Sequence, residues 1–227
     1  MNLQGYQKLT LLDYPGSVAC TVFTGGCNFK CPFCHNASLV LNPTHYNSAQ
    51  EDIFIYLEKR CGVIDGVCIT GGEPLLQPDI EDFIRKIKAL GLLVKLDTNG
   101  SNPTKLKDLI DKRLLDYVAM DIKSSKESYF KLIGKEIDLS LIEKSVEIIK
   151  QSGIPYEFRT TAVKTLHTKE DFYNIGLWLK GVDKYFIQHF VDSGETIEKG
   201  HLPFSADEMQ EILTEVRKNI PNATLRG

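Results

Sequence analysis

From about residue 17 onward, short runs of β-branched and aromatic residues alternate with longer stretches in which apolar residues recur every three or four positions. The runs Val18 to Phe23, Val67 to Thr70, Leu92 to Asp97, Tyr117 to Ile122, Tyr156 to Val163 and Tyr185 to Phe190 read as buried strands. Between them Ile80, Phe83, Ile84, Ile87 and Leu90 share one helical face, as do Met209, Ile212, Leu213 and Val216. Start signals agree: S-x-x-E at Ser48 to Glu51, Ser140 to Glu143 and Ser205 to Glu208 reads as a capping box, and Asn102-Pro103 as an N-cap with a first-turn proline. Strands alternating with helices predict a parallel sheet covered by helices. About six βα units are too few for a closed eight-stranded barrel, so the expected fold class is α/β, a partial (β/α)6 barrel of parallel strands. No repeat, low-complexity tract or linker divides the chain. A single domain over 1–227 is expected, with its core at about 17–190 and a C-terminal helix and short strand at about 205–226.

Composition narrows the classes without naming a function. At 42% hydrophobic and 25% charged residues the chain matches ordinary globular proteins, not disordered or membrane ones. A net charge of -3 offers no electrostatic footing for nucleic acid. No apolar run approaches the roughly 18 residues of a membrane span, and the opening MNLQGYQKLTLLDYPG lacks the regions of a signal peptide. A cytoplasmic protein with neither membrane nor nucleic acid as partner is expected. In that reducing compartment the six cysteines are not a disulfide framework. Cys20 and Cys68 lie in strand-like runs and read as small buried hydrophobes, while Cys61 closes a helix. A second metal site on Cys61 and Cys68 lacks a third ligand nearby.

In such a fold ligands gather at the carboxyl ends of the strands, and the polar motifs fall there. CNFKCPFCHN (27–36) follows the first predicted strand, and Gly71-Gly72-Glu73-Pro74 the second. Asp97-Thr98-Asn99-Gly100 ends the third and Asp121-Ile122-Lys123 the fourth. The trio Cys27, Cys31 and Cys34 presents soft ligands. Zinc is one reading, with His35 or a distant residue as fourth ligand, although structural zinc usually draws on two separated knuckles. A 4Fe-4S cluster is the other, and three thiolates would leave one iron open, which a substrate-cleaving cluster uses and an electron carrier does not.

C-x3-C-x2-C at Cys27, Cys31 and Cys34, with Phe33 before the third cysteine and GGE at Gly71, Gly72 and Glu73, resembles the radical S-adenosylmethionine enzymes. Within them CPFCHN, LDTNG (96–100) and MDIK (120–123) look like the activating enzymes of glycyl radical enzymes. LTLLDYPGSVACTVFTGGCNFKCPFCHN and the ending TLRG look most like the activating proteins of anaerobic ribonucleoside-triphosphate reductase, over about Leu9 to Gly227.

The resemblance implies a role for each motif. The open iron of the cluster chelates S-adenosylmethionine. Gly71 and Gly72 bring a bare peptide edge to its ammonium, although two glycines also serve a plain strand-to-helix turn. Glu73 contacts the cofactor or braces the loop. Phe33 packs beside the adenine. His35 contacts the cofactor largely through its main chain, or with Asn36 supports the loop by side-chain to backbone bonds. Asp97, Thr98 and Asp121 surround the methionine carboxylate and ribose, in some members with a monovalent cation, and Lys123 offsets the carboxylate charge. A structural Asp121–Lys123 ion pair is the plain alternative, since residues two apart on a strand share a face. Arg159 reaches toward the carboxylate or ribose. Some activating enzymes carry a nucleoside-contacting histidine near His189. The alignment places Phe190 there, so His189 competes with Gln188, and one residue reverses a strand face. His45, His167 and His201 are expected on solvated loops.

The implied reaction is reduction of the cluster by flavodoxin or ferredoxin, homolysis of S-adenosylmethionine, and hydrogen abstraction from a glycine of a partner enzyme, anaerobic ribonucleotide reductase in the resembling branch. A small-molecule enzyme related to 7-carboxy-7-deazaguanine synthase is the alternative. An electron carrier or zinc-stabilised binding module is the reading from another class.

Overall fold

The computed structural model describes residues 1–44 and 49–227. His45 and the capping box beginning at Ser48 therefore lie outside the described residues. In chain order the elements are β1 (Leu3–Thr10), β2 (Ala19–Thr24), α1 (Ala37–Leu41), α2 (Ala49–Arg60), β3 (Gly66–Gly71), a 3-10 turn (Pro74–Leu76), α3 (Ile80–Ala89), β4 (Leu93–Thr98), α4 (Pro103–Asp111) and β5 (Tyr117–Asp121). They continue as α5 (Tyr129–Ile133), α6 (Leu139–Gln151), β6 (Tyr156–Ala162), α7 (Lys169–Trp178), β7 (Tyr185–His189), α8 (Ala206–Arg217) and β8 (Thr224–Arg226). The fold is α/β on an eight-stranded sheet whose strand order follows the sequence, β1 to β8. No helix among the described residues is long and apolar enough to cross a membrane.

Packing divides the chain into two compact units. The first comprises Met1–Asn28, Ser38–Ala119 and Ser140–Pro155. Its strands β2, β3 and β4 pair in parallel, with Cys20 beside Val67 and Val67 beside Val94. Ala19, Cys20, Val22, Val67, Ile69, Val94 and Leu96 are fully buried, because a parallel strand has both faces covered and reads as a continuous apolar run. That is why these strands were legible. Helix α3 buries Ile80, Phe83, Ile84 and Ile87, the predicted face, worth roughly 6 to 12 kcal/mol in gross transfer energy at about 1.5–3 per side chain. Asn102 caps α4 by accepting from the Lys105 N–H at 3.1 Å.

Two sequence expectations change here. β1, absent from the predicted strands, pairs antiparallel with β2. Its sequence LQGYQKLT is mostly polar and only its first and last residues are buried, as suits an edge strand. Helix α6 begins at Leu139, so Ser140 lies inside it and is no cap.

The second unit comprises Phe29–Ala37, Met120–Leu139 and Tyr156–Gly227. β6, β7 and β8 pair in parallel, with Arg159 beside Phe186 and Gln188 beside Arg226. Side chains of paired residues share a face. Phe158, Thr160, Ala162 and Ile187 are buried on one face, whereas Glu157, Arg159, Phe186, Gln188 and Arg226 stand on the other. Helix α8 starts at the predicted Ser205–Glu208 capping box, and α7 at a Thr168–Asp171 box that the sequence reading passed over. Its acid is Asp rather than Glu, outside the S/T-x-x-E/Q signature.

Candidate functional site

In the first unit Glu73 organises two motifs. Its side chain is 1% exposed. One carboxylate oxygen accepts from the Leu75 N–H (3.0 Å) and the Thr98 hydroxyl (2.7 Å), the other from the Asn99 N–H (2.7 Å). A buried carboxylate is tolerated because such donors replace its hydration. The GGE and DTNG motifs are thereby one structure, and within this unit Glu73 braces the loop.

Gly71 and Gly72 are explained by a backbone approach within the unit. Gly71 has φ +110, and a Cβ there would press on the Thr24 backbone, while one on Gly72 would collide with the Gly26 carbonyl. The Gly72 N–H donates to Thr24 O and the Glu73 N–H to Gly26 O, both at 2.8 Å. These contacts hold the root of the loop that begins at Cys27. Asn99, which the sequence reading did not single out, directs its amide to Cys27 Sγ (3.7 Å) and Asn28 Oδ1 (3.0 Å), while the Ser101 N–H donates to Asn99 Oδ1. Its place in DTNG was the available signal. Thr98 is buried and also accepts from the Gly100 N–H at 3.1 Å. Asp97 pairs with Lys95, whose side chain is 1% exposed. Cys68 adjoins this pair, with Lys95 donating to its Sγ at 3.7 Å.

In the second unit Cys31 is buried and Cys34 half-buried, joined by a turn in which the Cys34 N–H donates to Cys31 O at 3.0 Å. Asp121 receives Arg159 Nε at 2.9 Å and Lys123 Nζ at 3.0 Å. Burial works to raise the Asp121 pKa, but Arg159 and then Lys123 outweigh it and hold the carboxyl well below its ordinary range. Lys123 runs the opposite way. Burial disfavours its charge, yet Asp121 and then the thiols of Cys31 and Cys34 raise its pKa. Arg159 also faces Glu157 at 3.9 Å, and the 1%-exposed Glu157 is gripped by both terminal nitrogens of Arg226 at 2.8 and 3.1 Å. Arg226 lies over the Phe186 ring, 3.6 Å from its centroid. Lys123, Asp121, Arg159, Glu157 and Arg226 thus form one alternating chain of charge ending in the TLRG motif.

Two histidines, His167 and His201, depart from expectation. His167 is 3% exposed, not on a solvated loop. Its Nε2 meets Lys123 O at 2.8 Å, and its ring packs edge-on to Phe33 and against Phe172. Burial pushes its pKa down. The sequence hid this because His167 follows β6 in a polar stretch and its partners are far off in the chain. His201 is also buried, with Nδ1 at 3.0 Å from the Thr165 hydroxyl. His189 lies on the face opposite Arg159 and meets Phe204 O through Nε2 at 2.8 Å. Gln188 is the member of that pair that shares the face of Arg159. His35, the alternative fourth zinc ligand, turns Nε2 to Val191 O at 2.6 Å and lays its ring against Phe190.

None of the six cysteines is in a disulfide. Among the described residues no three His, Cys, Asp or Glu side chains are gathered into a metal-binding group. The Cys27–Cys34 segment carries three thiols, and the neighbouring His35 imidazole is engaged by Val191 O, so the soft donors present are of the kind that fits an iron-sulfur cluster. The Asn99 amide is directed at Cys27 Sγ, and the Lys123 ammonium interacts electrostatically with Cys31 and Cys34.

Residues 21–178 match the model of the Radical SAM superfamily. A protein of Methanocaldococcus jannaschii, provisionally named a glycyl-radical enzyme activating enzyme, is 32% identical over 233 residues, covering 99% of this chain and 95% of that protein. The pyruvate formate-lyase-activating enzyme of Listeria monocytogenes is 34% identical over 140 residues, 57% of this chain and 56% of that one. Among solved structures, Streptococcus suis SuiB bound to S-adenosylmethionine superposes with a TM-score of 0.70 at 18% identity, covering 89% of this chain. The chain spans about half of SuiB, 48% of its length, and the likeness is one of fold.

Proposed function

The chain belongs to the radical SAM superfamily of enzymes, whose cofactors are a 4Fe-4S cluster and S-adenosylmethionine, and we propose that within it this protein activates a glycyl radical enzyme, anaerobic ribonucleotide reductase in the first instance. The observation that carries the reading is the end-to-end likeness to the Methanocaldococcus activating enzyme. The loop CPFCHN, LDTNG and MDIK support it, as does TLRG for the reductase branch.

When bound and reduced by flavodoxin or ferredoxin, the cluster and S-adenosylmethionine supply a carbon radical able to take a hydrogen atom from a glycine α-carbon. The protein binds, orients and excludes water. Cys27, Cys31 and Cys34 hold the cluster. Asn99 steadies Cys27 by its amide. Phe33 and the main chain at His35 flank the adenosine, and the peptide edge at Gly71 and Gly72 meets the ammonium. Glu73 sets the height of Thr98 and Asn99 from behind. Asp97, Thr98 and Asp121 would hold the ribose and carboxylate, and Lys123 and Arg159, which pair with Asp121, would balance the negative charge. Gln188, which shares the face of Arg159, is favoured over His189 for the nucleoside contact. Some resembling enzymes add a monovalent cation near the D-T pair and the acidic residue of D-x-K, here Asp97, Thr98 and Asp121.

Electron paramagnetic resonance of an anaerobic mixture with candidate partner enzymes tests the reading. A glycyl doublet on ribonucleotide reductase is the expected result. A doublet on another glycyl radical enzyme would move the partner, and none on any, despite cleavage of S-adenosylmethionine, would favour a small-molecule substrate.

A further inference from the structure

Lys95 is one of the least expected residues in the chain: an ammonium whose side chain is 1% exposed, in the middle of a strand. In β4 the residues Lys95 and Asp97 lie two apart and share a face. The register sets Cys68 of β3 beside Lys95. The Tyr117 ring lies 5.9 Å from the ammonium, and Tyr14 packs edge-on to Tyr117 at 6.0 Å. Burial first, then Asp116 and Cys68, raise the pKa of the Tyr14 phenol. Besides the Tyr117 ring the ammonium meets Asp97, which is itself 13% exposed, and the Cys68 sulfur at 3.7 Å. Cys68 in turn sits 3.8 Å from the same Asp97 oxygen that receives Lys95.

A buried ion pair is a weak source of stability, because desolvating two charges offsets their attraction, and apolar residues of similar size often do as well. β4 also holds Leu93, Val94 and Leu96, apolar residues of a kind that would fill the position of Lys95 without that cost. The charge therefore has another use. Asp97 belongs to the motif placed beside the ribose and carboxylate of S-adenosylmethionine, and two carboxylates approach one another in a dry site only with a cation between or beside them. We propose that Lys95 is the built-in counter-cation of Asp97 and, through it, a positioning residue for the anionic end of the cofactor. In this chain it takes the part of a bound monovalent ion. The inference rests on the cofactor reading above and deepens it.

The test uses the full chain with its cluster reconstituted anaerobically. Dissociation constants for S-adenosylmethionine are measured in choline chloride and in sodium, potassium or methylammonium chloride at equal ionic strength, and apoprotein melting is followed in the same salts. The wild-type protein should respond alike to all four. Lys95→Met, similar in bulk, should bind about tenfold or more weakly in choline and return to within about threefold in a small cation that occupies the emptied position, whose binding also raises the apoprotein melting temperature. An unchanged affinity in choline, or a loss that no cation relieves, overturns the inference. If Lys95→Met does not fold, the double variant Lys95→Met/Asp97→Asn, which removes both charges, decides. Its affinity should equal that of Asp97→Asn alone, and any further loss overturns the inference. Wild-type affinity in Asp97→Asn would remove Asp97 from the cofactor site and this inference with it. A weakened Asp97→Asn beside an unimpaired Lys95→Met would remove the inference alone.

Discussion

The carboxylate of Glu73 accepts the backbone N–H of Asn99 at 2.7 Å, and this one bond joins the GGE motif to the DTNG motif 26 residues away. With the Thr98 hydroxyl and the Leu75 N–H on its other oxygen, Glu73 replaces water for three donors at once.

Glu73→Ala leaves those donors without an acceptor in a buried place. At about 1–3 kcal/mol for each of three orphaned buried donors, the variant should lose roughly 3–9 kcal/mol in urea unfolding. Glu73→Gln should lose less, since its amide oxygen still accepts while its NH2 faces one donor. Equal stability of all three proteins would show that the loop is held by other means.

Replacement of Cys27, Cys31 or Cys34 by alanine should abolish reductive cleavage of S-adenosylmethionine and lower cluster iron. Cys20→Ala and Cys61→Ala should keep both, because Cys20 is packed as a hydrophobe, its thiol pushed up to about 12 by burial, and Cys61 is exposed after a helix end. Iron analysis with 5'-deoxyadenosine release checks each variant.

Arg226 grips Glu157 by two nitrogens, and Glu157 in turn faces the arginine that holds Asp121. Removing Arg226 leaves Glu157 to draw Arg159 away from Asp121. Arg226→Ala should raise the dissociation constant for S-adenosylmethionine several-fold and, with Arg226 partly exposed, cost about 1–3 kcal/mol, below the range for a wholly buried pair. Arg226→Lys should rescue little, since lysine lacks the planar fork and the stacking on Phe186. Full activity in both variants would confine the charge chain to a structural role.

His167 is buried neutral, its pKa lowered first by burial. The unfolded chain, with histidine near its ordinary value of about 6.5, then binds a proton that the folded chain refuses. Its contribution is complete above that value and is lost as pH falls below it toward the folded pKa. Thermal melting of the wild type should therefore drop between about pH 7 and 5 more steeply than that of His167→Gln, whose amide titrates not at all. Parallel curves would contradict the assignment.

Much of this protein was determined by the sequence alone, because the signals are local. Buried parallel strands announce themselves as apolar runs, and amphipathic helices by a period of three to four. Three thiols within eight residues need no tertiary information to suggest a cluster. The polar motifs fall at strand ends by position in the chain. What the tertiary structure decided was pairing and phase. The edge strand β1 has too few apolar positions to be read, since one side of it has no sheet neighbour. Whether His189 or Gln188 joins Arg159 depends on the phase of alternation in β7, which a single residue reverses. The pairing of buried Lys95 with Asp97 beside Cys68, and of Arg226 with Glu157 69 positions earlier, emerges only when the strands are paired. Burial and charge pairing arise between residues that the chain keeps far apart, and no local pattern encodes them.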